Sequence, residues 1–382
     1  MKFGPLSPFG TEQKGQYSVL LLFILIIPFI EPQVFKTAAF QEVDNYYAFF
    51  KGAAFIVIVC MYKDFRITPI VLLMGLTQGW TFVSTILNSG SLTRFIGPAI
   101  TAVCILMYVE IALRSDFLRL LRWIRNYLTI FVCMNCIPPD LFYPGLQEMG
   151  ITFLGIENRW IYILLPWVGI TFLLSLLEKG RNGSFDWAVY AIAMFMLLSA
   201  WSVGAFLALG FWAAMWIFEN ARARFCGGKY SGSTLLILLA VIGNIVLICG
   251  FGSAGFFSEM VSILGKDPTL TGRSYLWNVV LDVLAQNPLF GEGVQSQSYD
   301  SAMFVTQSGG IAWLSVNHPH NFFLNVALHG GVIAACLFSA CFFYAWKKMD
   351  LYRHSKIVKV LSCFFASFIV ASFADTLDFS LM

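Results

Sequence analysis

Apolar runs of roughly 17–22 residues recur along this chain, long enough for an α-helix to cross about 30 Å of hydrocarbon. That pattern limits the fold more than any other feature. A chain spanning lipid must satisfy its backbone internally, as helices or as a closed barrel. The alternating ten-residue strands of a barrel are absent. The composition agrees: 58% of the 382 residues are hydrophobic and 12% are charged, against an apolar share of about 45–50% in soluble domains. The sequence therefore predicts an all-α integral membrane protein. We place about eleven transmembrane helices, at 17–35, 46–62, 67–87, 95–113, 119–137, 160–178, 186–200, 203–218, 233–252, 321–345 and 357–378. The first run follows Lys2 and Lys14 without a small-residue cleavage site, so it is expected to stay as a span.

The basic residues suggest an orientation. With the N-terminus inside, the cytoplasmic segments collect most of the 24 Lys and Arg. They include Arg114, Arg119, Arg122 and Arg125, then Arg222, Arg224 and Lys229, then Lys347, Lys348 and Arg353. The outer segments hold Lys36, Arg94, Arg159, Lys266 and Arg273, and Lys51 falls within a span. The positive-inside rule then gives N-terminus in and C-terminus out. The formal net charge of +3 gives no reason to expect a nucleic-acid partner.

This reading divides the chain into transmembrane helices over 1–252, a large outer loop over 253–320, and two further spans over 321–382. A loop of roughly seventy residues is far beyond the usual connection length and is expected to be functional. Within it, Leu276, Val279, Val280, Val283 and Leu284 share one face at helical spacing. They predict an amphipathic helix over 274–286 that lies on the membrane or caps a cavity. Asn287-Pro288 ends it, Gly291-Glu292-Gly293 forms a turn, and Gly309-Gly310 is a candidate hinge.

Three of the four histidines, His318, His320 and His329, lie where this loop enters the next apolar run. A histidine can take a proton from a hydroxyl near neutral pH. Pro319 keeps His318 extended and should hold His320 rigidly at the start of the helix. His329, deeper in the run, reads as a core residue. Arg273 stands at the start of the amphipathic helix, where a cation opposes the helix dipole. Helix stability does not explain it, whereas a phosphate or carboxylate ligand, which guanidinium grips with two bonds, would, as would a lipid headgroup contact or a surface ion pair. Arg159, in Glu157-Asn158-Arg159, is a candidate second anion clamp or a helix-end anchor. No ligand spacing for a metal appears, nor any dinucleotide or phosphate-loop fingerprint, so neither metal nor cofactor is expected.

Thr271-Gly272-Arg273-Ser274-Tyr275-Leu276-Trp277, Asn287-Pro288-Leu289-Phe290-Gly291-Glu292-Gly293 and His320-Asn321 followed nine residues later by Gly331 resemble the large-loop signature of the O-antigen ligase/polymerase superfamily. The resemblance covers about residues 150–345. Leu154-Gly155-Ile156-Glu157-Asn158-Arg159 and Leu198-Ser199-Ala200-Trp201-Ser202 look more like the Wzy-type repeat-unit polymerases. Where ligases usually carry an arginine, this chain has Val203. The resemblance implies glycosyl transfer from an undecaprenyl diphosphate-linked glycan at the outer face of the bacterial cytoplasmic membrane. It implies His320 as general base and Arg273 as the cation on the leaving diphosphate. It further implies Arg159, His318, Asn321 and Gly272 as substrate-binding residues. Membrane lipid, a flippase and a chain-length regulator are the partners it suggests. A polymerase, a ligase of the same fold, and a transporter or flippase are the three alternatives.

Overall fold

The computed structural model describes residues 17–225, 241–242, 273–307 and 318–372. Its helices, in chain order, are α1 (Val19–Ile26), α2 (Gln41–Tyr62), α3 (Pro69–Leu87), α4 (Leu92–Ala112), α5 (Phe117–Met134), α6 (Ile161–Lys179), α7 (Ser184–Ser199), α8 (Val203–Phe225), α9 (Arg273–Gln286), α10 (Gln297–Gln307), α11 (Phe322–Leu351) and α12 (Lys356–Ala371). The described residues form no strand; Thr152 and Gly155 make one isolated bridge.

Among these residues, six helical segments are long and apolar enough to cross a membrane: Ala38–Tyr62, Pro69–Leu87, Leu92–Ala112, Glu157–Lys179, Val203–Ala221 and Phe322–Leu351. The other expected spans are shorter or more charged. Pro28, Glu31 and Pro32 break the first run, so α1 gives way to short 3-10 turns at Ile27–Phe29 and Gln33–Lys36. The run at 119–137 forms α5, whose apolar face buries Leu120, Leu121, Ile124, Leu128, Phe131 and Val132. Its other face carries Arg119, Arg122 and Arg125. The expected span at 233–252 lies outside the described residues apart from 241–242.

The chain divides into two compact units. Of the described residues, the first holds 17–71 and 100–202. Its most buried helix is α6, nearly apolar throughout, against which α5 packs; Trp167 Nε1 donates to Thr129 Oγ1 at 2.8 Å. Polar side chains fasten the neighbouring turns. Lys51 of α2 pairs with the fully buried Glu31 at 2.7 Å, so the lysine that falls in a span has a partner twenty residues away. In the first turn of α7, Asp186 accepts from Ser175 Oγ of α6 at 2.6 Å and from the Gly183 amide at 2.8 Å.

The second unit holds the described residues within 72–99 and 203–372. Here α8 packs along α12, with Ser367 Oγ donating to the Ala208 carbonyl at 2.6 Å. The expected amphipathic helix is α9. Its stripe Leu276, Trp277, Val279, Val280 and Val283 is buried against Met303 and Phe304 of α10 and Leu324 and Leu328 of α11, with Leu284 at the edge. Enclosing a side chain such as Val280 is worth about 1.5–3 kcal/mol. The stripe thus faces protein, and its burial is what ties the loop helices to α11.

Candidate functional site

The site begins with a break in α11. At Gly331 the backbone leaves helical geometry (φ 64°, ψ −167°). An unbroken helix would bond the Val332 amide to the Leu328 carbonyl. Instead Val332 donates to the Pro288 carbonyl and the Glu292 amide donates to Leu328, both at 2.8 Å. Residues 288–292 are therefore stitched into the helix through its own freed groups. This is how irregular backbone is tolerated about 14 Å along an apolar helix. Both strands of the stitch need glycine. A Cβ on Gly331 would sit 2.3 Å from the Leu289 carbonyl, and one on Gly291 (φ 65°) would sit 2.3 Å from the Leu328 oxygen.

The end of α3 fastens the same segment. Trp80 stacks on Phe290 with ring centres 4.9 Å apart, and its Nε1 donates to the Gly330 carbonyl at 3.0 Å. Ser84 Oγ donates to the Phe290 carbonyl at 2.5 Å, and Asn88 Nδ2 to the Gly291 carbonyl at 3.1 Å. Asn287 Nδ2 reaches that same carbonyl at 2.6 Å. Arg94 of α4 donates to Asp300 Oδ2 of α10 at 2.7 Å and to the Gln295 carbonyl. Burial pushes the Asp300 carboxyl above its usual range, and Arg94 beside it pulls in the opposite direction.

Above the break, the start of α11 carries the histidines. Asn321 is fully buried and caps the helix, its Oδ1 accepting from the Leu324 amide at 3.0 Å. His320 holds a positive φ of 49°, uncommon for a residue with a Cβ and costing about 1–3 kcal/mol. Its amide donates to Nδ1 of His318 at 3.3 Å, and the two rings meet edge to face with centres 4.1 Å apart. Both rings are partly open to solvent.

The α9 helix reaches this corner. Trp277 Nε1 donates to the Pro319 carbonyl at 3.0 Å, from a side chain that is almost wholly buried. Arg273 is the first residue of α9, four before Trp277 and so on the same face. Trp277, one turn into the helix that Arg273 begins, is thereby held at the His318–His320 corner. Gly272 and Gly309-Gly310 lie outside the described residues.

Arg159 belongs to the first unit. Its Nη1 donates to Gln33 Oε1 at 3.1 Å, and the turn at Gly155 (φ 91°) lets Gln33 approach. Asn158 accepts from Ser202 Oγ at 2.9 Å, while Trp201 takes a positive φ of 54° and stands exposed. Val203 opens α8.

Sequence reasoning missed Arg94, Trp80, Ser84 and Asn88 as parts of the site's frame. Their partners lie some 200 residues away, and no local pattern marks such pairs. Among the described residues no group of three His, Cys, Asp or Glu side chains is placed to hold a metal ion.

These features define a multi-pass helical membrane protein with a broken helix and a histidine corner beside an arginine-led helix start. Residues 188–339 match the family described as O-antigen ligase. The chain is 26% identical over 216 residues to a polysaccharide ligase of Rickettsia conorii named as putative, covering 54% of this chain and 49% of that protein. It is 30% identical over 110 residues to the exopolysaccharide production protein ExoQ of Rhizobium meliloti, covering 28% and 25%. A similarly named ligase of Rickettsia prowazekii is 22% identical over 307 residues, covering 77% and 73%. The chain spans about half the length of the first of these relatives and a quarter of the second. No solved structure matches. Together the matches show a likeness, carried by residues 188–339, to the O-antigen ligase/polymerase superfamily.

Proposed function

We propose that the protein is a polymerase that joins undecaprenyl diphosphate-linked oligosaccharide repeat units into O-antigen, capsular or exopolysaccharide chains. The reaction takes place at the outer face of the cytoplasmic membrane. The acceptor sugar hydroxyl attacks the anomeric carbon of the donor, and His320 takes the hydroxyl proton. The bond from that carbon to the diphosphate oxygen breaks, and Arg273 stabilises the charge on the departing undecaprenyl diphosphate. A base of this kind is worth about 10²–10⁴-fold in rate. His318 positions the corner, Asn321 holds it to the helix, and Gly272 contributes to substrate binding.

The observation that carries this reading is the bond from Trp277 to Pro319. It ties the helix that begins at Arg273 to the corner that bears His320, two residues that a displacement at a diphosphate needs together. The likeness to ExoQ, an exopolysaccharide production protein, favours polymerisation. The printed names of the two rickettsial relatives favour the second reading, transfer of a finished glycan to lipid A core or another acceptor.

Deletion in the source bacterium separates the two. Loss of a polymerase leaves single repeats on the acceptor, whereas loss of a ligase strands long chains on the carrier lipid. Complementation with His320→Ala should reproduce the deletion. Full-length polymer from that variant would remove the general-base assignment.

A further inference from the structure

Arg94 is held in a way that leaves part of it available. Nη1 takes both Asp300 and the Gln295 carbonyl. A guanidinium has five N–H donors, and Nε and Nη2 meet no acceptor among the described residues. About a third of the side chain, 34%, is exposed, while that of Asp300 is nearly closed off at 3%. The fork is therefore fixed on one edge and open on the other.

Glu292 and Tyr299 stand near it. Gln295, whose carbonyl holds Arg94, donates through Nε2 to the Glu292 carbonyl at 2.5 Å, and the Glu292 charge acts on Asp300. Glu292 Oε2 accepts from the Tyr299 hydroxyl at 3.2 Å, while its Oε1 accepts from no described residue. The Tyr299 side of this group is open, with the residue 47% exposed.

Charge decides what such a group can hold. Arg94, Asp300 and Glu292 together carry one net negative charge, which repels phosphate. An uncharged hydroxylated ring suits it better. A hydroxyl both donates and accepts, so it can give to Glu292 Oε1 and receive from the Arg94 fork. The Tyr299 ring offers an apolar face with a polar tip. We propose that Arg94, Glu292 and Tyr299 form a subsite for an uncharged sugar residue, distinct in role from the diphosphate handling assigned to Arg273. That the sugar belongs to the glycan being transferred rests on the function proposed above.

The test uses the full chain in lipid nanodiscs and a soluble probe: repeat-unit oligosaccharide released from the source bacterium's polysaccharide, free of lipid and phosphate. Binding is read by saturation-transfer NMR. Wild type should bind. Glu292→Gln, which removes a charged acceptor at a half-buried position, and Tyr299→Ala, which removes the ring face at an exposed one, should each weaken binding about tenfold. Arg94→Lys keeps the ion pair with Asp300 but loses the fork, and should weaken binding similarly. Inorganic diphosphate should not displace the probe. No binding to wild type, unchanged affinity in both Glu292→Gln and Tyr299→Ala, or displacement by diphosphate would overturn the proposal. His320→Ala should bind the probe as wild type does. A wild-type protein that binds the probe but transfers no glycan would thus sink the transfer reading and leave the subsite standing.

Discussion

Replacing Gly331 by alanine should undo the stitch between α11 and residues 288–292. The backbone there (φ 64°, ψ −167°) lies in a region essentially reserved for glycine, at a cost of about 1–3 kcal/mol for other residues. The added methyl would lie 2.3 Å from both the carbon and the oxygen of the Leu289 carbonyl, and 2.7 Å from the Phe290 nitrogen. These are backbone atoms, so relief requires the segment to withdraw. Withdrawal lets the Leu328 carbonyl and the Val332 amide pair with each other in a straightened helix, but strands the Glu292 amide and the Pro288 carbonyl, each costing about 1–3 kcal/mol if left buried without a partner. The cost is therefore about 2–6 kcal/mol, against a typical folding stability of about 5–15 kcal/mol. The assay is unfolding by SDS titration in mixed micelles, followed by tryptophan fluorescence. Gly210→Ala is the internal control, because a methyl there meets nothing within 4 Å in helical α8, and alanine should be neutral or up to about 1 kcal/mol better. A Gly331→Ala protein that unfolds within about 1 kcal/mol of wild type would refute the stitch.

Other variants follow from the same frame. Trp277→Phe keeps the buried ring but removes the donor to Pro319; about 0.5–1.5 kcal/mol of stability should go, and glycan transfer should fall more steeply than substrate affinity in a kcat-against-KM comparison. Asn321→Ala loses the cap of α11 and should cost about 0.5–2 kcal/mol in the same SDS titration. Arg273→Ala should abolish polymer while expression and SDS unfolding stay near wild type, whereas His329→Ala should lower folded yield more than it alters the chemistry.

Some of this architecture can be read from the chain and some cannot. The stripe Leu276, Val279, Val280, Val283 and Leu284 announces α9, because burial of one helical face needs that spacing and little else. The start of α11 is legible to within a few residues: Pro319 points to a helix beginning at 319 or 320, whereas the structure begins it at Phe322 with Asn321 as the cap. The break at Gly331 is not. The residues on either side are apolar and helix-compatible, and what stops the helix is a segment some forty residues earlier that takes over its hydrogen bonds. In the sequence that glycine is only a spacing mark. The first span shows the opposite error. A hydropathy run from 17 to 35 averages over Pro28, Glu31 and Pro32, so the short 3-10 turns and the Glu31–Lys51 pair are invisible to it. Arg94 counted in sequence only toward orientation; its role depends on Asp300, 206 positions away.

The most direct measurement is transfer by the purified chain supplied with undecaprenyl diphosphate-linked repeat units and resolved on a gel. Wild type should yield a ladder of rising repeat number, and His320→Ala and Arg273→Ala should leave the starting band unchanged. A ladder from either variant would contradict the account, as would an unaltered band from wild-type protein that still binds the lipid-linked donor.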